Sequence, residues 1–382
     1  MTALAIAPRS AIAGPRLAVD LAAVAANTRL FTRRTPGEVI AVVKADAFGH
    51  GAAGVARTAL ANGAVRLGVT SLEEALALRT AGLDAPVLSW LNVVDADWAT
   101  AVAGDVEVAV PSRDHLEAIV HATTRARIHL HLDTGMARDG AAPTEWAALC
   151  RAARLAERRG LLQVVGVMGH LGCADDPADA CNATGRTRFA WGLQVALDAG
   201  LRPQQRHLAA TAATLTDPRT HHTMSRIGAG LVGIDPTRTT DLHPALTLTA
   251  PLVGVRSVRA GTGVGYGHTW VAPAATRLGL LPVGYADGLP RASSGRAEVL
   301  VRGRRRPLVG RISMDMAVVD LGDESVTGGE TVTIFGPGHD GEPTVREWAE
   351  WSETIEHEIV TGLGARLHRT TLAATTPALR SL

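Results

Sequence analysis

The chain predicts an α/β protein: a (β/α)8 barrel of the TIM type followed by a mostly β C-terminal domain. Three observations predict it. From about residue 20 to residue 242, short apolar runs alternate with helical patterns rich in Ala, Leu and Arg. Beyond Leu242 the β-type runs continue, punctuated by Gly and Pro, but the intervening helices disappear. Finally, 382 residues exceed what one hydrophobic core usually supports. The expected division is an N-terminal segment over 1–18 packing with the C-terminal domain, a barrel over 19–242, and a β domain over 243–382.

Taken in order, Asp20 is placed to cap a helix over 21–33, and 39–43 is the first strand. Strands follow at 66–70, 86–90, 106–110, 127–132, 163–168, 206–210 and 225–232. Helical patterns at 72–80, 113–123, 145–159 and 187–199 separate them. Eight β-then-α units at this length match a barrel. A doubly wound sheet is the alternative, but no GxGxxG follows the first strand. The later β runs are 247–258, 277–282, 297–301, 316–321 and 330–335, and 345–359 reads as one short amphipathic helix. The run Arg302-Gly303-Arg304-Arg305-Arg306 reads as a solvated turn, as does the Gly-rich stretch 261–267. The latter has neither a GK[ST] nor a following helix, so it is no phosphate loop.

The composition is that of an ordinary globular protein, 46% hydrophobic and 20% charged. With 38 basic against 37 acidic residues, nothing points to nucleic acid or an anionic membrane. Cys150, Cys173 and Cys181 form no CxxC, so a disulfide framework is not expected and a reducing, cytoplasmic setting is favoured. No apolar run is long enough to span a bilayer. The Ala-rich stretch 1–14 imitates a signal sequence, but it lacks a basic n-region and Arg9 interrupts it.

Unusual polar residues fall where the barrel strands end. Lys44 leaves the apolar run 39–43 in VVKADAFGHG. A lysine emerging from buried strand is partly desolvated, which favours its neutral amine as nucleophile or base. Arg138 follows the fifth strand in LDTGMAR and His170 ends the sixth in VMGH. Thr211 follows the seventh, and Arg226 begins the eighth in SRIG. Each alone has an ordinary explanation; five on the carboxyl face of one barrel form a candidate site. His129 and His131, two apart on a strand, share a face. No third ligand accompanies them, so no metal is expected.

VVKADAFGHG resembles the pyridoxal-phosphate lysine motif VVKANAYGHG of the alanine racemases, and further motifs of that family follow in order. LDTGMAR is similar to its LDTGMGR, Gly169-His170-Leu171 to its strand-end histidine, and Arg226-Ile227-Gly228 to its RxG. In the second domain Gly265-Tyr266-Gly267-His268-Thr269-Trp270 resembles its tyrosine turn, GYADG at 284–288 is intact with Arg291 after it, and RISMDM at 311–316 resembles GRxxMD.

The resemblance implies a two-base racemase that interconverts L- and D-alanine on pyridoxal 5'-phosphate. Lys44 would hold the cofactor covalently and act as base on one face of the substrate carbon. Tyr266, contributed by the partner subunit of a homodimer, would be the base on the other, supported by His170 beside Arg226. A phenol titrates near 10, so a basic tyrosine needs such support. Arg226 would face the pyridine nitrogen, which a guanidinium leaves unprotonated. Arg138 would contact the cofactor's phenolic oxygen or the substrate carboxylate. Thr211 and the backbone around Gly228 and Ala229 would hold the phosphate. Met314 and Asp315 would meet the substrate, and Asp175, Tyr285, Arg291 and Ile355 would line the access channel.

Four positions depart from the family pattern. Phe48 stands where a tyrosine reaches the phosphate, His357 where a second tyrosine does, His131 at a lysine position, and Ala210 at an asparagine position. One lost neutral hydrogen bond costs about 0.5–1.5 kcal/mol, roughly three- to ten-fold in affinity. His357 offers an imidazolium in partial compensation. These changes strike the support of the site and leave both bases. They motivate two alternatives: another small amino acid or another reaction on the same scaffold (an aldolase or decarboxylase), and a non-catalytic cofactor carrier.

Overall fold

The computed structural model describes residues 14–123 and 125–372, so the signal-like stretch lies almost wholly outside the described residues. Two compact units emerge, one from Leu21–His243 and one from the residues up to Asp20 together with those from Pro244 onward.

The first unit is the expected barrel. After β1 (Arg16–Asp20), which belongs to the other unit, come eight strands. They are β2 (Glu38–Val42), β3 (Ala64–Val69), β4 (Val87–Ser89), β5 (Val106–Val110), β6 (Ala126–His131), β7 (Leu162–Met168), β8 (Gln205–His207) and β9 (Met224–Ile227). Each pairs in parallel with its predecessor from β3 to β8, and β9 pairs with β2. A parallel bridge from Ala210 to Arg226 joins the two ends of the sheet. Strands covered on both faces read as continuous apolar runs, and β5 is buried at every position. Ser71, Ser112 and Asp179 cap the helices that start after them.

The strand expected over 225–232 is two elements. It ends at Ile227, and Ala229–Val232 turns into a 3-10 helix that places backbone N–H groups behind Thr211. Asn27, fully buried on the helix Leu21–Arg34, fixes that region. Its amide donates to the Leu231 and His243 carbonyls (3.2 and 2.8 Å) and its oxygen accepts from the His243 N–H (2.9 Å).

The second unit is mostly β. One sheet runs in the order β16 (Arg304–Pro307), β15 (Glu298–Val301), β18 (Thr331–Phe335), β10 (Leu246–Pro251), β1, β19 (His368–Leu372). A second comprises β11 (Gly254–Val258), β14 (Thr276–Leu281) and β17 (Ala317–Gly322), and a ribbon pairs β12 (Gly263–Val264) with β13 (Trp270–Val271). The run 247–258 divides into two strands at Leu252 and Val253, and the helix expected over 345–359 into Val345–Trp351 and Glu356–Thr361. The basic run is not simply a turn. Arg304–Pro307 forms an edge strand whose charges reach Glu324, Glu298 and Glu347, which is how a sheet edge stays in solvent.

Cys173 and Cys181 pair in a disulfide, with Cα atoms 6.4 Å apart, contrary to the expectation of unpaired thiols. The intervening loop folds back because Asn182 donates to the carbonyls of Cys173 and Asp176 (3.0 and 2.9 Å), a closure that spacing alone does not reveal. Cys150 remains a buried thiol. No helix among the described residues is long and apolar enough to cross a membrane.

Asn27→Ala leaves three backbone groups without these partners, and the buried Leu231 carbonyl among them costs about 1–3 kcal/mol when unsatisfied. Its urea midpoint should fall well below that of the parent, and an unchanged midpoint would remove the clamp from this account.

Candidate active site

Lys44 opens a turn of unusual hand. Ala45, Asp46, Ala47 and Phe48 all have φ between 50° and 55°, so the segment Lys44–Gly49 is a left-handed turn built without glycine in its middle. Each such residue costs about 1–2 kcal/mol. The turn persists because its surroundings hold it. Glu74 accepts from Ala45 N–H (2.7 Å) and Thr70 N–H (2.8 Å), the Asp46 carboxylate accepts from Ala52 N–H (2.8 Å), and the buried His50 ring meets the Phe48 carbonyl (2.8 Å). Glu74 was not among the expected site residues. Its signal was the Ser71-x-x-Glu74 capping pattern, which the structure uses both as a helix cap and as a brace for the lysine turn.

Lys44 itself is half-buried. Burial pushes its amine below the usual 10.5, the charge of Arg138 adds to this, Glu74 opposes it, and Arg226 lowers it again. The site therefore gathers cations with little compensation, and its chemistry suits an anionic occupant. His170 joins the same group: burial, with the charges of Arg226 and Arg138, pushes its imidazole down to about 3. Its Nδ1 accepts from Arg226 Nη2 (3.2 Å), so Nε2 bears the ring's proton.

Arg226, third residue of β9 and 5% exposed, is the most heavily bonded of these side chains. Nη1 donates to His207 Nδ1 and to the His207 carbonyl (both 2.8 Å), and Nη2 to the Gly169 and Leu208 carbonyls (2.6 and 3.2 Å). Burial lowers it to about 10, so it stays charged at neutral pH. These bonds leave Nε out. Thr211 begins a helical turn and its hydroxyl accepts from the N–H groups of Gly228 and Gly230 (3.4 and 3.2 Å). A Cβ at Gly228 would stand 2.8 Å from the Phe48 ring, so glycine is what lets the lysine turn and this cradle meet.

Arg138 is exposed, on a loop shaped by Asp133, whose Oδ1 accepts from the N–H groups of Gly135, Met136 and Ala137 (2.8, 2.9 and 3.2 Å). His131, at the lysine position, lies with Nδ1 3.3 Å from Asp139 Oδ2, an ion-pair contact off the hydrogen-bonding direction. His129, on the same strand, spends both ring nitrogens on hydrogen bonds to Glu107 and His207. Among the described residues, Cys173, Asp179 and Cys181 gather as metal ligands would, but the disulfide takes both sulfurs.

In the β unit three motifs assemble locally. Tyr266 lies on a 3-10 turn and is 72% exposed, and the Gly265–Gly267 backbone packs on Arg311. Tyr285 and Ala286 N–H groups donate to the Ser313 and Met314 carbonyls (3.0 and 2.9 Å). Arg366 ties Asp287 to Asp315 (3.0 and 2.6 Å). Tyr285, Met314 and Ile355 are exposed, as Tyr266 is, whereas His357 is half-buried. Asp175 and Arg291 are also exposed.

Because the native state lowers the Lys44 pKa, the unfolded chain binds the extra proton between that lowered value and 10.5, and stability rises with pH across this window. Lys44→Met should therefore raise the melting temperature of the cofactor-free protein more at pH 7 than at pH 10.5. An equal gain at both would mean the amine carries no such penalty.

The chain is similar to known proteins of one family. Residues 19–236 match the family described as alanine racemase, N-terminal domain, and residues 245–371 match the C-terminal domain. An alanine racemase of Mycolicibacterium smegmatis is 45% identical over 378 residues, covering 96% of this chain and 97% of its own length. That of Thermobifida fusca is 44% identical over 359 residues, covering 92% and 96%. The crystal structure of the alanine racemase from D-cycloserine-producing Streptomyces lavendulae superposes with a TM-score of 0.93 at 40% identity, covering 96% of this chain and 98% of that one. The chain belongs to the alanine racemase family.

Proposed function

We propose that this protein interconverts L- and D-alanine with pyridoxal 5'-phosphate at the carboxyl face of its barrel, completed by the β unit of a second copy. The observation that carries the reading is Lys44: an amine of lowered basicity, set by a braced turn within reach of the charges of Arg138 and Arg226, with the Phe48 ring of that turn against Gly228 of the Thr211 cradle. An alanine racemase structure from Bartonella henselae, 25% identical with a TM-score of 0.86, has covalently bound pyridoxal phosphate.

The donor set fits the cofactor. Lys44 Nζ would bind it, and Thr211 with the Gly228 and Ala229 backbone would hold the phosphate, with Phe48 packed alongside and His357 supplying a further donor. Arg226 Nε is the donor left for the ring nitrogen. When bound, the cofactor supplies the electron sink that acidifies the substrate's α-proton. Released from the cofactor by the substrate amine, Lys44 Nζ would accept or return that proton on one face. Tyr266 Oη of the partner subunit does so on the other, its phenolate steadied by the Nε2–H of His170. Arg138 and the Met314 N–H orient the carboxylate, with Asp315 beside them, while Asp175, Tyr285, Arg291 and Ile355 line the approach. A guanidinium does not give up its proton, so Arg226 would offer the ring nitrogen a hydrogen bond without protonating it.

Incubating the holoprotein in D₂O with L- and D-alanine tests the reaction. Exchange of the α-proton with inversion is expected; loss of a side-chain or carboxyl fragment would indicate a different reaction, and inertness a carrier. Tyr266→Phe should abolish deprotonation from its face while retaining the visible absorbance of bound cofactor, which Lys44→Ala should lose. Randomly paired Lys44→Ala and Tyr266→Phe subunits should regain roughly a quarter of parental activity if sites are shared; no regain would refute sharing. Phe48→Tyr should tighten cofactor binding roughly three- to ten-fold, measured by equilibrium titration.

A further inference from the structure

Arg226 is buried, charged and without a carboxylate among the hydrogen-bond partners just described, yet a carboxylate lies at the end of a continuous path. His207 Nδ1 accepts from Arg226 Nη1 (2.8 Å), His207 Nε2 meets His129 Nδ1 (2.8 Å), and His129 Nε2 meets Glu107 Oε2 (3.0 Å). Glu107, 3% exposed inside the barrel, is then held by Arg66 Nη1 at 2.9 Å to each oxygen and by Arg127 Nε at 3.2 Å. His129 and His207 are fully buried, and a Cβ at Gly166 would come within 2.2 Å of His129 Nδ1, so the space for that ring depends on glycine.

The chemistry of the ends fixes every proton between them. A guanidinium only donates, so His207 Nδ1 must be the acceptor and its proton must sit on Nε2. His207 Nε2–H then donates to His129 Nδ1, which leaves the His129 proton on Nε2, pointing at a carboxylate that only accepts. The reverse arrangement would require a His207 ring with no proton at all. Burial holds both imidazoles neutral, and Glu107 is ionised: burial opposes this, but the His129 and Arg66 bonds bring it down to about 2. The path thus has one direction, from cation to anion.

We propose that Glu107 is a positioning residue for Arg226, acting through His129 and His207 to hold the guanidinium in the one orientation that presents Nε to the ring nitrogen. This rests on the reading of the site given above. Glu107 never touches substrate or cofactor. Arg226 fixes the two ring tautomers and the Glu107 carboxylate anchors the far end of the path as a charged acceptor; a carboxamide keeps an acceptor oxygen but lacks the charge, so it holds the path less firmly.

The test combines ¹⁵N NMR of histidine-labelled cofactor-free protein with steady-state kinetics of the holoenzyme. In the parent, His129 and His207 should both show protonated Nε2 and bare Nδ1. Glu107→Gln should keep these tautomers, which Arg226 sets, but move the His129 Nε2 resonance as its charged acceptor is lost and lower kcat by about ten- to a hundred-fold, with the KM for alanine little changed. Arg127→Met, which removes a Glu107 contact but no link of the path, should keep both the tautomers and kcat. Should the Gln variant not fold, Glu107→Asp, one methylene shorter, is measured in the same way. Protonated Nδ1 on either ring of the parent, or an unchanged His129 Nε2 resonance or unchanged kcat in the Glu107 variant, would overturn the proposal. An inactive parent would sink the racemase reading instead, while the ring spectra still decide the path.

Discussion

A guanidinium that must stay charged in the interior of a barrel is the constraint around which the site is built. Desolvating such a group is expensive unless its donors are satisfied. Arg226 meets that requirement at Nη1 and Nη2, with three carbonyls and two imidazoles instead of an adjacent carboxylate. The choice has consequences. Neutral acceptors leave the positive charge uncancelled, so it acts on its neighbours, lowering both His170 and Lys44 after burial has begun the shift. One buried cation thereby adds to the shift that burial begins in two groups from different strands.

The barrel interior pays for that arrangement with polarity. Where a barrel core is ordinarily filled by branched aliphatic side chains, this one devotes Arg66, Glu107, His129, His207 and Arg226 to a connected polar path, beside an apolar cluster of Leu88, Ala109 and Met168 with Trp90. Fully satisfied buried networks are rigid, and rigidity suits groups that must be held in a fixed register. The left-handed turn after Lys44 follows the same logic. Its conformation is unfavourable residue by residue, and it survives because Glu74, Asp46 and the His50 ring over-determine it.

Departures from the family pattern are local. Phe48 keeps the ring of the usual tyrosine, which packs against Gly228, and gives up only the hydroxyl. His131 replaces a long cationic stem with a short ring beside Asp139, whose carboxyl burial would raise but the imidazole holds below its usual range. Such changes alter how firmly a group is held without altering which groups are present.

The sequence by itself determined the barrel and the mostly β C-terminal domain, and it singled out five polar residues near the barrel strands as candidates. Periodicity and strand-end position are local properties, and the motifs around Lys44, Arg138, His170 and Arg226 carry them within a few residues each. Only the tertiary structure decided that Ser225–Val232 breaks at Ile227, that Cys173 meets Cys181, and that Arg304–Pro307 is an edge strand. The same holds for Glu107. A lone acid inside the apolar run VEVAV was a visible anomaly, but its meaning depends on partners 41, 22 and 20 residues away in the chain. Side chains on separate strands become neighbours only once the sheet closes, and one-dimensional spacing carries no record of that closure.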